Sequence, residues 1–218
     1  MLRILTVISL IAATFLTNLR GAEVLVDPAA LPAALARIQS DIAEGGRITC
    51  AFTESRSFPF KKTPSILEGE SDYMHGEGIV LRYASPEKRI IGIRGNGIVE
   101  TDSSGVKKFH ELPRQYENML SLYDLDIRKL ADGFNIYFDG DDHRSWAIRL
   151  AEKQGLVTAG RQREARTAPL GITIRGEGGA IRSFEIVKPG AITIAIRMEN
   201  ARRMTPEETA AAAETLKP

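Results

Sequence analysis

The hydrophobic period of this chain changes several times. Leu31, Leu35, Ile38 and Ile42 recur every three or four residues, which predicts a helix with one apolar face. Asp27 is a candidate cap, Pro28 suits a first turn, Pro32 falls early enough to be tolerated, and Gly45-Gly46 stops the helix. From Arg47 the period becomes two: Ile48, Cys50 and Phe52 fall on one side of a predicted strand. The stretch from Phe58 to Gly69, with Pro59 and Pro64, reads as a bend.

Alternation then returns. Ile79, Leu81 and Tyr83 oppose Val80 and Arg82. Ser85-Pro86 makes a corner, Arg89 to Arg94 runs back, Gly95-Asn96-Gly97 turns, and Ile98 to Asp102 runs out again before Ser103-Ser104-Gly105. A meander of short antiparallel strands follows from this alternation and its turn chemistry.

Between Glu111 and Gly133 the spacing loosens to three or four through Tyr116, Met119, Leu120, Tyr123, Leu125, Ile127 and Leu130, predicting one or two short helices inserted between two groups of strands. Phe134, Ile136 and Phe138 then share one strand face, as do Trp146, Ile148 and Leu150. The stretch from Glu152 to Pro169 shows no period and reads as a loop. Three more strands follow, divided by Gly176-Glu177-Gly178-Gly179 and Lys188-Pro189-Gly190, with Ile192, Ile194, Ile196 and Met198 on one face. Thr205-Pro206-Glu207-Glu208 opens a capped terminal helix. The total is about nine or ten strands with three helical segments. No repeat or linker divides it.

The N-terminus sets the compartment. Arg3 precedes an uncharged, mostly apolar run from Ile4 to Leu16, and Gly21 and Ala22 follow. This is the pattern of an export signal, read as residues 1–21, leaving 22–218 as one domain of a periplasmic protein. An uncleaved N-terminal anchor is the other reading of the same run. The remaining ~195 residues suffice for one sizeable core. The chain has 29 Lys+Arg and 28 Asp+Glu, and removing Arg3 and Arg20 leaves 27 against 28. So even a balance argues against nucleic acid, which needs a concentrated basic patch. The basic run Arg161 to Arg166 is broken by Glu164 and reads as a solvated loop.

Candidate chemistry is sparse. The one cysteine, Cys50, can form no internal disulfide and reads as a small buried hydrophobe. His75, His110 and His143 are far apart and sit at strand ends or turns, so no metal site is expected. Asp139-Gly140-Asp141-Asp142-His143 lacks the later glutamate of a calcium loop and fits a hairpin connection. Neither glycine-rich segment leads into a helix that would cradle phosphate. No nucleophile elbow is present, so the chain reads as a non-enzyme with no cofactor.

A large sheet that is apolar on one face has to be covered or closed. Covered by a few helices, it either packs an ordinary core or encloses an apolar groove. The fold class expected is α+β: a curved antiparallel sheet forming an unclosed half-barrel, with helices acting as a lid. Each methylene of a ligand buried there would gain roughly 0.8 kcal/mol.

The order of these segments resembles the outer-membrane lipoprotein carrier protein family (LolA). The residues that carry the resemblance are Phe52-Thr53-Glu54, Glu68-Gly69, Arg82-Tyr83, Ser85-Pro86, Ile90-Ile91, Asn96-Gly97 and Thr101-Asp102, together with the export signal. The resemblance implies a monomeric periplasmic carrier that takes acylated lipoprotein or lipid from an inner-membrane transporter to an outer-membrane acceptor. It implies a groove wall of Ile79, Leu81, Tyr83, Ile91, Ile93, Phe134, Ile136, Trp146, Ile148, Ile192 and Ile194. The lid would carry Met119, Leu120 and Leu130 in an insertion beginning at Pro113. Where the family often has an Arg-Pro pair that helps hold the lid shut, this chain reads His75-Gly76-Glu77-Gly78, and its lid carries Asp124 and Asp126. The alternatives are an interaction or sensor domain with no lipid cargo, and a hydrolase whose site only the fold assembles.

Overall fold

The computed structural model describes residues 23–95, 97–102, 104–111, 119–141, 144–153 and 169–217. The expected leader, Asn96, His143, the insertion start at Pro113 and most of the 152–169 loop, with its basic run, lie outside the described residues.

Among the described residues, twelve strands pair antiparallel in one sheet. In chain order they are β1 (Val24–Leu25), β2 (Arg47–Ser57), β3 (Ser65–Met74), β4 (Gly78–Ser85), β5 (Arg89–Arg94), β6 (Gly97–Thr101), β7 (Lys107–Glu111), β8 (Phe134–Gly140), β9 (Ser145–Glu152), β10 (Gly171–Glu177), β11 (Ala180–Lys188) and β12 (Ile192–Arg203). Their order across the sheet is β1-β8-β9-β10-β11-β12-β2-β3-β4-β5-β6-β7, so β1 and β7 are free ends and the sheet is unclosed. Two meanders, β2 to β7 and β8 to β12, meet at a long β12–β2 seam running from Thr193↔Ser57 to Arg203↔Ile48. The sheet curves. Ile93 on β5 and Ile136 on β8, near opposite ends of the order, are buried in one core.

Helices α1 (Ala33–Gly45), α2 (Met119–Asp124) and α3 (Ile127–Gly133) cover the concave face, and α4 (Pro206–Thr215) lies on the other side. This is the expected fold class, and the insertion, expected to hold one or two short helices, holds two. Leu35, Ile38 and Ile42 of α1 are buried at helical spacing, and Gly46 ends the helix with φ +66°. The helix starts later than its apolar period implied. Pro32, not Asp27, stands at its N-terminus, because Asp27 closes a separate tight turn in which its carboxylate accepts from the Ala29 N–H.

Two strands escaped the sequence reading. The two-residue β1 is too short to show a period. β3 begins at Ser65, inside the segment expected to be a bend, and continues through Glu68, Gly69, Glu70 and Asp72, residues poor in strand propensity. Its register with β2 decides the matter, pairing Arg47↔Met74 through Arg56↔Ser65. Tertiary pairing overrides local preference here.

A smaller second core lies under α4, where Met74, Val80, Ala212 and Leu216 are buried together. Thr205 caps α4, accepting from the Glu208 N–H while the Glu208 carboxylate accepts from the Thr205 N–H, a complete capping box as expected. Leu216 rests over Gly78 and Gly92, where a Cβ would come within 2.7 Å and 3.0 Å of its methyl groups.

Trp146 is the sole tryptophan and is buried in the main core, its indole N–H donating to the Gly178 carbonyl at 2.7 Å. Its ring lies over Gly176, where an added Cβ would meet the ring at 2.1 Å and the Ala180 carbonyl at 2.5 Å. Gly176→Ala is therefore expected to cost about 1–3 kcal/mol by overpacking. The measurement is chemical denaturation followed by tryptophan emission, with a native-state spectral change accompanying the lost stability.

Candidate functional site

Pairing registers place every expected wall residue on one face. Ile79, Leu81 and Tyr83 of β4 stand opposite Ile93, Ile91 and Arg89 of β5. Tyr73 of β3 joins Ile79 to Ile48 on β2. On the other half, Ile136 and Phe138 pair with Leu150 and Ile148, which pair in turn with Ile172 and Ile174. Phe184 and Ile186 then lead to Ile196 and Ile194 on β12, whose partners on β2 are Glu54 and Arg56. Phe134 and Ile192 share this parity.

The face divides into two zones. Ile79, Ile93, Ile136, Trp146 and Ile148 are buried and share a core with Leu35, Ile38 and Ile42 of α1, Leu122 and Tyr123 of α2, and Ile127 and Leu130 of α3. Helix side chains occupy the concave space there. Leu81, Ile91, Phe134, Ile192 and Ile194 are only half-buried, as are Ile186, Ile196 and Met198 beside them. Of the expected lid residues, Leu130 is fully buried and Leu120 half-buried; Met119 opens α2, and its side chain lies outside the described residues.

The helices are tied to the sheet by polar contacts that the apolar pattern did not reveal. Tyr73 O–H donates to Asp124 at 2.7 Å, the Gly76 N–H donates to the same oxygen at 3.2 Å, and His75 Nδ1 lies 3.4 Å from it. Burial, and then the bond to Asp124, push the Tyr73 phenol well above its ordinary range. Asp126, the other acidic residue expected in a lid, caps α3 by accepting from the Lys129 N–H. Between the two helices Leu125 has φ +48°, in the left-handed region, with its side chain fully buried and its carbonyl accepting from the Gln39 amide of α1. A branched residue in that conformation costs roughly 1–2 kcal/mol. The α2–α3 corner is thus held under local strain by its packing.

A second polar group stands inside the sheet's concave wall. Glu54, 4% exposed, accepts from Tyr83 O–H at 2.8 Å and from Arg56 Nε. Arg89 lies over the Tyr83 ring, 4.6 Å from its centroid, and Phe52 meets that ring edge-on at 5.2 Å. Burial is the largest cause that pushes the Tyr83 phenol up to about 12, followed by the Glu54 charge. One signal for this cluster was present in the sequence: Glu54 has the same strand parity as Cys50 and Phe52, a charge at a core position. Nothing in the local sequence pointed to the Asp124 contacts, which join residues 48 positions or more apart.

Cys50 is buried as expected, and burial pushes its thiol up to about 11. His75 stands by Tyr73 and Asp124, whereas His110 lies on the exposed edge strand β7. Asp139 and Gly140 end β8 on the approach to the hairpin. No helix among the described residues is long and apolar enough to cross a membrane.

No protein-family model matches this chain. No curated protein matches it either. Among solved structures, similarity is found to a LolA superfamily protein from Nitrosomonas europaea, at 8% identity and TM-score 0.45, covering 81% of this chain and 96% of that one. Lipoprotein LppX from Mycobacterium tuberculosis is similar at 13% identity and TM-score 0.38, covering 80% and 97%. A DUF1329 family protein from Desulfovibrio piger is similar at 9% identity and TM-score 0.40, covering 80% and 95%.

Removing the Asp124 carboxylate takes one acceptor from the Tyr73 hydroxyl and leaves it only His75 Nδ1, at 2.8 Å. Asp124→Ala is expected to cost about 1–3 kcal/mol, with the loss concentrated in α2 and α3. Hydrogen exchange should show faster opening of residues 120–133 with little change in β9 and β10. The alkaline limb offers a separate check. The native pKa values of Cys50 and Tyr83 are raised from 9.0 to about 11 and from 10.0 to about 12. Their neutral forms therefore favour the folded state. That contribution is complete below pH 9 and is lost as pH rises through 11 and 12. Urea midpoints should fall across that window, and the fall should lessen in Cys50→Ala.

Proposed function

We propose that this chain is a periplasmic carrier of acylated cargo, a binding protein rather than an enzyme. In this reading the concave face holds the acyl chains of a lipoprotein or other lipid. An inner-membrane transporter supplies them, and an outer-membrane acceptor takes them onward.

The observation that carries the reading is that the apolar wall stays only half-buried at Leu81 and Ile91 on one half and at Ile186, Ile194, Ile196 and Met198 on the other, beside positions that α1, α2 and α3 cover. An acyl chain lying on the open zone removes both its own surface and the wall's from water, at roughly 0.8 kcal/mol per methylene. A longer or multi-chain ligand extends under the helices only if their side chains give way. The strained Leu125 corner and the few polar ties at Asp124 and Gln39 define where they would part.

The packed zone supports a second reading, an interaction or sensor domain whose core is complete without cargo. The two differ in what the open zone does. In a carrier, the folded protein binds an apolar fluorescent probe that fatty acid displaces. Ile194→Glu, which puts a carboxylate in the open zone, should weaken that binding at least about tenfold while leaving far-ultraviolet circular dichroism unchanged. A folded wild-type protein that takes up neither probe nor fatty acid decides for the interaction domain.

A further inference from the structure

Between β2 and β3 the chain presents a large apolar side chain that no described residue covers. The segment Phe58-Pro59-Phe60-Lys61 closes a tight turn, the Lys61 N–H donating to the Phe58 carbonyl at 3.0 Å. Pro59 takes the second position of that turn, where its fixed φ suits the bend, and Phe60 follows it at the tip. Phe60 is 85% exposed, the most exposed of the large hydrophobic side chains described. Phe58 stands behind it, half-buried, with the ring centroids 5.4 Å apart. Proline, turn and ring contact all limit the freedom of this tip, so the pair forms a preset wedge.

The charges beside the wedge are of one sign. From Ser57 to Leu67 the chain carries Lys61 and Lys62 and no acidic residue. Lys61 donates to the Ser65 hydroxyl at 2.8 Å, a neutral partner that leaves its charge in place. Lys62 is exposed and forms no ion pair among the described residues. The Thr193↔Ser57 pair sets the β11–β12 turn next to the wedge, and from Ile186 to Ile196 the chain adds Lys188 and again no acid. The acidic groups are set back. Glu54 is bonded to Arg56 inside the wall, Glu68 lies three residues into β3, and Glu185 faces Arg175. Glu87, Glu100 and Asp102 gather with Lys88 and Arg89 around the β4–β5 corner, on the far side of β3.

We propose that this tip docks on an anionic bilayer, Phe60 entering the interface with Phe58 behind it while Lys61, Lys62 and Lys188 meet the lipid phosphates. A protruding aromatic among lysines suits that surface in two ways. The headgroup region takes up an aromatic ring and yields to a convex shape, which a rigid protein groove does not. Anionic lipid attracts lysines held close to its surface. One ring and three lysines give a weak, reversible contact. The half-buried Ile192 and Ile194 of the concave wall lie at this end, opposite Lys188 and Arg56, so docking brings the open rim of the sheet to the membrane. The inference does not rest on the carrier reading and stands or falls without it.

The test reads the tip itself. Phe60→Trp is expressed as the full chain, recovered in soluble form without detergent, and titrated with two kinds of vesicle. One holds phosphatidylglycerol and phosphatidylcholine in equal parts, the other phosphatidylcholine alone. Trp146, buried in the core, supplies a constant background. With the anionic vesicles, the indole at position 60 should shift its emission to the blue and be quenched by brominated acyl chains, while wild-type emission stays unchanged. Contact made elsewhere on the chain leaves that reporter unquenched. Lys61→Gln and Lys62→Gln should each weaken the titration about fivefold, and rising salt should weaken it further. Phe60→Ser should reduce co-sedimentation with anionic vesicles about tenfold and leave the urea midpoint unchanged. No shift with either vesicle, equal shifts with both, or full binding by Phe60→Ser overturns the proposal. A Phe60-dependent dimer, seen by ultracentrifugation without lipid, also overturns it and makes the tip a contact between copies of the chain.

Discussion

Coverage of one apolar sheet face is the constraint on which the rest of this molecule depends. A sheet so wide, alternating apolar and polar along nearly every strand, is unstable with its apolar side in water. Curvature brings distant strands such as β5 and β8 to a common core, and three helices drawn from two separate parts of the chain fill half of it. The other half is left to half-buried isoleucines and leucines. Coverage is thus incomplete, at Leu81 and Ile91 on one half of the sheet and at Ile186, Ile194 and Ile196 on the other.

The polar residues on this face are not distributed as solvent would require. Asp124 and Gln39 hold the helices at one end; Glu54, Arg56 and Arg89 stand at the other. A buried carboxylate with good partners contributes little net stability, and one stripped of a partner is costly. Both groups therefore act as fixed points. They make particular arrangements of helix and wall expensive to leave, without adding much to the depth of the core.

Most of the architecture was legible in the sequence because period two, turn dipeptides and cap residues are local signals. The residues expected to line a groove, from Ile79 to Ile194, share one face since strand parity survives any error in strand ends. β3 was hidden because its Glu68-Gly69-Glu70-Ser71-Asp72 run is polar and its strand character comes from ten pairs with β2. The start of α1 was misplaced by a proline and an aspartate that serve a tight turn instead. The Asp124 contacts were hidden for a different reason. Tyr73 and Asp124 are far apart in sequence, and no spacing rule connects a strand end to a helix end across a curved sheet.

The strand order has a consequence for how the molecule is made. β2 is the first long strand of the chain and β12 the last, yet they are neighbours, joined from Thr193↔Ser57 to Arg203↔Ile48. A chain emerging from its N-terminus can fold β2 to β7 as a meander, but the inner edge of β2 stays unpaired until nearly the whole polypeptide has arrived. Contacts of such wide sequence separation form late and slowly. The last strand is therefore the keystone of the vault. Until it is set, the apolar face has two loose halves, and the unfinished chain is exposed to pairing with other strands for the longest part of its synthesis.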